Sequence, residues 1–165
     1  MTNPIFDKPR EYGVIPPERL VSTSGLELMQ EMIAGKLPAP PISKLVNSAL
    51  VEVEPGRAVF HALPGFEHYN PAGVVHGGWA GTILDSALGC CVWTQVPIGM
   101  AYTTAEYKVH LVRPITDKTG EVICEATVVH MGRKLATAQA TLKTLEGKLL
   151  AHATTTCAVY DPVEK

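Results

Sequence analysis

Twenty residues, HGGWAGTILDSALGCCVWTQ at positions 76–95, constrain the fold of this chain more than any other stretch. Trp79, Ile83, Ala87 and Cys91 recur every four residues, and Leu84, Leu88 and Val92 widen the stripe. That spacing predicts a helix whose apolar surface is too broad to face water, so it is largely buried. A buried helix of this length needs a large apolar surface to lie on.

The rest of the sequence offers a sheet. Residues 46–54 read as a strand, Pro55-Gly56 as a turn, and residues 57–63 as the returning strand. A loop rich in Pro, Gly and Asn fills 64–75, ahead of the helix. Four strand-like runs follow it, at 101–115, 121–131, 134–145 and 148–160, with turn signals at Arg113-Pro114, Gly132 and Glu146-Gly147. Ala136, Ala138, Ala140, Ala151 and Ala153 give small side chains that let a helix lie close, and Thr154, Thr155 and Thr156 suit strands. Consecutive strands with short connections imply an antiparallel sheet. The simplest arrangement is an α+β fold in which a curved antiparallel sheet wraps a long central helix, the hotdog architecture. The pattern leaves the strand order open.

At 165 residues and 46% apolar content the chain has enough material for one domain with a sizeable core. Residues 1–41 hold seven of the thirteen prolines, which favours an irregular lead-in over a second domain. One helix is expected within it, from Ser24 to Ala34, with Ser24 and Glu27 as a capping box, Leu26, Met29 and Ile33 as its stripe and Gly35 as its stop. The division expected is an extension with a short helix at 1–44 and the main domain at 45–165.

A net charge of −2 gives no basic face for nucleic acid. The apolar runs are interrupted well before about 18 residues, too short to span a membrane, and MTNPIFDKPREYG is not a secretory signal. The four cysteines, Cys90, Cys91, Cys124 and Cys157, form no CxxC pair, as expected of reduced core thiols in a cytoplasmic protein. No clustered ligands suggest a metal, no motif suggests a cofactor, and there is no GxSxG elbow.

Two features point to chemistry. His76-Gly77-Gly78 stands where the helix begins. The first N–H groups of a helix lack backbone partners and carry partial positive charge, and glycine lets a ligand approach them. Such a site can stabilise an oxyanion; a tight turn that needs glycine for its dihedrals would look the same. The second feature is Asp85, set between Leu84 and Ser86 in the middle of the apolar helix. Burying its charge is costly, so it is a candidate base or nucleophile, against a structural ion pair or an exposed strip. Gly78 and Asp85 lie seven residues apart, roughly 10 Å along one helix axis, too far to share a reacting centre. A two-fold related copy of the helix would bring Asp85 opposite the partner's glycines and make two composite sites.

On the stretches NPAGVVHGGWAGTILDSALG, TTAEYKVHLVRPI, VVHMGRKLATAQATL and EGKLLAHATTTCAVY, the chain from about Gly25 to Tyr160 resembles the PaaI-type (phenylacetic-acid-degradation) thioesterases of the hotdog superfamily. The resemblance implies an acyl-CoA thioesterase in which Asp85 acts on the thioester carbonyl or its attacking water and the backbone at Gly77 or Gly78 polarises that carbonyl. It implies that Asn70 and His76 shape the loop and that the Thr104 hydroxyl helps to hold the water. It also implies a homo-oligomer, a dimer or a tetramer built from two dimers. Arg133, in the Gly132-Arg133-Lys134 turn, is a candidate contact to coenzyme A phosphates, or simply a solvated basic turn. His61, His68, His110, His130 and His152 are scattered, as structural histidines would be, and Trp79 and Trp93 fit the core better than a substrate platform. The rival readings are a hotdog hydratase or dehydratase using His76, and a non-catalytic acyl-CoA-binding protein.

Overall fold

The computed structural model describes residues 10–162; the opening residues judged above not to be a secretory signal lie mostly outside that range. Three short helices come first: α1 (Pro17–Ser22), α2 (Gly25–Ile33) and α3 (Pro41–Leu45). Strands β1 (Ser48–Glu54) and β2 (Arg57–Ala62) lead through a loop to α4 (Gly77–Trp93). Four strands complete the chain, β3 (Ala101–Leu111), β4 (Val122–Met131), β5 (Leu135–Thr144) and β6 (Leu149–Tyr160). All six strands form one antiparallel sheet in the order β1-β2-β4-β5-β6-β3. This is the hotdog architecture expected from the sequence, with α4 in the concave side of the sheet.

The helix and sheet fit as the residue pattern requires. Ile83, Leu84, Ala87, Leu88, Cys91 and Val92 of α4 are fully buried. They meet Ala126, Ala136, Ala138, Ala140, Ala151 and Ala153, whose small side chains let the helix lie close to the strands. Burying each leucine contributes about 1.5–3 kcal/mol relative to exposure. Trp79 is 4% exposed and its indole N–H donates to the Val46 carbonyl at 2.9 Å, so it is a core residue with its one polar atom satisfied.

Two expectations need correction. The lead-in holds three helices where the sequence predicted one. Helix α2 is the expected one, with the Ser24 hydroxyl accepting from the Glu27 N–H at 3.2 Å. Helices α1 and α3 both begin on proline, at Pro17 and Pro41. Proline is tolerated at the first helical position because its missing N–H has no partner there, so these residues start helices rather than break them. The strand predicted over 101–115 stops at Leu111. The N–H groups of Val112 and Arg113 both turn to the Leu150 carbonyl, and Pro114 has none to offer a ladder.

The two sheet edges differ. Helix α2 packs beside β1. Strand β3, eleven residues long, has β6 on one side and no described strand on the other. Tyr107 and Leu111 on it are 43% and 58% exposed.

Candidate functional site: a helix face against a bulged strand

Strand β3 runs alongside α4 in the opposite direction, and their contacts repeat once per helical turn. A Cβ added at Gly77 would lie 2.5 Å from Leu111 Cδ1, and one at Gly81 would lie 3.4 Å from the Tyr107 hydroxyl. The Thr104 hydroxyl donates to Asp85 Oδ1 at 3.1 Å. One turn on, a Cβ at Gly89 would lie 3.1 Å from the Tyr102 hydroxyl, and Tyr102 in turn packs on Trp93. Gly77, Gly81, Asp85 and Gly89 therefore form a second stripe on α4, its spacing of four matching the apolar stripe but offset from it by about half a turn. Asp85 is the only acid on this helix, and it is half-buried.

A β-bulge makes these contacts possible. The register of β3 against β6 shifts between Thr104 and Glu106. Before the shift Tyr102 and Thr104 reach the helix; after it Tyr107 and Leu111 do. The residue left over is Ala105, and a single extra residue reverses which side chains face inward. Tyr102, Tyr107 and Leu111 were not singled out from the sequence. The signal available was the break in alternation, with two tyrosines five residues apart where a regular strand would place same-face residues an even number apart.

The loop before α4 fixes the other end of the site. The Asn70 side chain accepts from the N–H groups of Ala72 at 2.9 Å and Val74 at 3.4 Å, while the Asn70 backbone N–H donates to the Val74 carbonyl. Asn70 thus closes the turn through its own backbone neighbours. His68 accepts from Gly65 N–H through Nδ1 and donates from Nε2 to the Leu45 carbonyl, with its ring against Trp79. The His76 N–H donates to the His68 carbonyl and the Val75 N–H to the Ile115 carbonyl. Helix α4 therefore begins at a point held from three directions.

At that point the N–H groups divide. His76 Nδ1 accepts from the Gly78 N–H at 2.9 Å, capping the helix. The Gly77 N–H has no acceptor among the described residues. Of the two glycines, Gly77 has the donor free for a ligand. An Nδ1 that accepts leaves the proton of a neutral imidazole on Nε2, facing solvent on an exposed side chain.

The structure thus brings Asp85 and Thr104 together, and groups Asn70, His76, Gly77 and Gly78 at the start of α4. It does not bring the two groups together in one chain. The helix is unbroken, and eight residues from Gly77 to Asp85 correspond to roughly 12 Å. Arg133 lies at neither. Lys134 accepts from the Val159 N–H, and Val159 pairs with Tyr102, whose ring touches Trp93; Arg133 is therefore at the end of the sheet where α4 finishes.

The sequence profile described as the thioesterase superfamily matches residues 72–151, which contain His76, Gly77, Gly78, Asp85 and Thr104 but not Asn70. Over that segment, just under half of its length, the chain is similar to the thioesterase superfamily. Its structure is similar to that of a variant of the phenylacetic acid degradation protein PaaI from Thermus thermophilus, at 26% identity and a TM-score of 0.65 over 72% of this chain and 97% of that one. A putative thioesterase from Ralstonia eutropha JMP134, described as phenylacetic acid degradation-related, shares 25% identity with a TM-score of 0.71 over 79% and 98% of the two chains. A thioesterase from Haemophilus influenzae shares the fold at 19% identity, with a TM-score of 0.71 over 88% and 96%. No curated protein matches the sequence. The hotdog fold and the resemblance to PaaI-type thioesterases agree with the sequence reading.

Other side chains do not compete with Asp85. Burial, and then the charge of Asp85, pushes the Cys90 thiol up to about 12, and burial does the same to Cys91. Burial likewise raises Cys124 and Cys157. Such thiols stay protonated at neutral pH and are poor nucleophiles. His61 pairs with Glu121, His110 stacks on His152 at 4.6 Å, and no group of three His, Cys, Asp or Glu among the described residues is placed to hold a metal ion. No helix among the described residues is long and apolar enough to cross a membrane.

Proposed function

We propose that this chain is an acyl-CoA thioesterase, hydrolysing an acyl-CoA to a carboxylic acid and coenzyme A. The observation that carries the reading is Asp85, the one acid of α4, held by Thr104 on a helix face otherwise kept clear by glycine. Water attacks the thioester carbonyl; Asp85 takes its proton, or attacks the carbonyl itself before water releases the acid. The Gly77 N–H, at the positive end of α4, donates to the carbonyl oxygen as negative charge develops on it. Because the Thr104 hydroxyl spends its hydrogen on Asp85, it is left to accept from the water, which orients it.

The roughly 12 Å between Gly77 and Asp85 calls for a second subunit. The open edge of β3 supports a two-fold pair, since a long edge strand with exposed apolar side chains is a template for another chain. Each site then combines Gly77 of one protomer with the carboxylate of the other.

The test is thiol release across a panel of acyl-CoAs, beside a measurement of enoyl formation, for the native chain and Asp85→Asn. Asparagine can still accept from Thr104, so folding is retained, while kcat falls on the order of 10²-fold or more, the scale of a lost acid–base group. Normal melting with more than about a tenth of native kcat would reject the assignment of Asp85. Enoyl formation without thiol release would favour a hydratase.

A further inference from the structure

Neither of two surface grooves, of about 660 and 470 Å³, includes Asp85 or Gly77. The larger lies between the segment that follows β3 and the β5–β6 hairpin, and its chemistry suits a phosphorylated ligand. Arg113 is anchored there. Its N–H donates to the Leu150 carbonyl and its Nη1 to the Leu149 carbonyl at 2.6 Å. That leaves most of the guanidinium's five N–H donors without an acceptor among the described residues. Lys148 lines the same groove, and its ammonium has no ion pair or hydrogen bond among the described residues. One carboxylate, Glu146, also lines it, engaged by the Thr144 hydroxyl and its own backbone. Pro114 and Leu150 add an apolar surface.

We infer that this groove binds the 3′-phosphorylated adenosine diphosphate of coenzyme A, with Arg113 and Lys148 on its phosphates. The inference rests on the acyl-CoA reading above and adds the site that reading lacks. Its position is consistent with that role. The Ile115 carbonyl accepts from the Val75 N–H at 2.9 Å, and Arg113 and Gly77 each stand two residues from that bond. Two residues span at most about 7 Å, so the backbone of Arg113 lies no more than about 17 Å from Gly77. The pantetheine arm has about as many chain atoms as four residues, or roughly 14 Å extended, which the arginine side chain complements. The arm would run to the Gly77 N–H of the same protomer.

The experiment titrates adenosine 3′,5′-bisphosphate into the full chain by calorimetry, and compares KM for an acyl-CoA with KM for the matching N-acetylcysteamine thioester, which has no nucleotide. Arg113→Ala should weaken bisphosphate binding about tenfold, as expected for one charge-assisted contact, and raise KM for acyl-CoA about as much relative to the short thioester. Lys148→Glu leaves the Arg113 anchor in place and should show the same loss if Arg113→Ala folds poorly. Arg133→Ala is measured in parallel. The inference is overturned if the native chain does not bind the bisphosphate, if neither groove variant weakens it, or if the loss follows Arg133 instead. Arg113-dependent bisphosphate binding in a chain that hydrolyses no thioester would instead reject the proposed function and keep the groove.

Discussion

Gly77→Ala separates packing from chemistry at the helix start. The added Cβ would meet Leu111 Cδ1 at 2.5 Å, so about 1 Å of movement is needed to reach ordinary carbon contact. The atom it meets is the end of a side chain that is 58% exposed, so Leu111 can turn away. Turning it to a poorer rotamer costs about 0.5–1.5 kcal/mol. Alanine in place of glycine in a helix returns up to about 1 kcal/mol. The two nearly cancel, and stability should change by less than about 1 kcal/mol. Activity should not be spared. A methyl group beside the one free N–H keeps the substrate carbonyl from approaching it, and losing one such donor lowers kcat about 10²- to 10³-fold. The comparison that decides is Gly77→Ala with Leu111→Ala in the same chain. Removing the leucine relieves the clash but leaves the methyl at the N–H, so melting should recover while kcat stays low. Recovery of kcat in the double variant would show that Gly77 serves packing alone and refute the donor assignment.

Two further outcomes follow from the same geometry. Thr104→Val keeps the volume of the side chain and removes its hydroxyl; one hydrogen bond of about 0.5–1.5 kcal/mol corresponds to a loss in kcat of roughly 2- to 10-fold, far milder than Asp85→Asn, and an equal loss would place Thr104 in the proton transfer itself. Sedimentation at assay concentration should find a dimer or larger, and a fully active monomer would defeat the composite site.

Much of the fold could be read from the sequence because it is written in periodicities. The apolar stripe from Trp79 to Cys91 gives α4, and alternating alanines at 136, 138 and 140 give the face of β5 on which it lies. The Ser24 cap was equally legible, since its side chain and the N–H it binds are three residues apart. What escaped depends on non-local choices. Pro17 and Pro41 can start or stop a helix, and only the chain that follows decides. The sheet order β1-β2-β4-β5-β6-β3, which sends β3 to the far edge, is set by connections that no local pattern encodes. At the site, Asp85 and the His76-Gly77-Gly78 start stood out because an acid and paired glycines are unusual within an apolar helix. The partition of the glycine N–H groups did not, because it depends on which way the His76 ring turns. Arg113 read as a turn residue beside Pro114, and only the placement of the β5–β6 hairpin gives it a groove.

The bulge at Ala105 links these observations. A regular β3 carrying Thr104 inward would also carry Glu106 and Lys108 inward, placing two charges against the glycine face of α4, where burial is costly. With one extra residue, the strand presents Tyr107 and Leu111 instead, and Lys108 stands on the face shared with His110 and His152. Asp85 is left as the only charged side chain among the described residues where α4 meets β3. A lone carboxylate on this helix face, with a hydroxyl donor on one oxygen and the other open, is suited to polarising a water or attacking a carbonyl. A second acid beside it would compete for the same proton. In the proposed reaction the bulge would therefore serve chemistry as well as packing: it keeps the neighbouring charges of β3 away from Asp85.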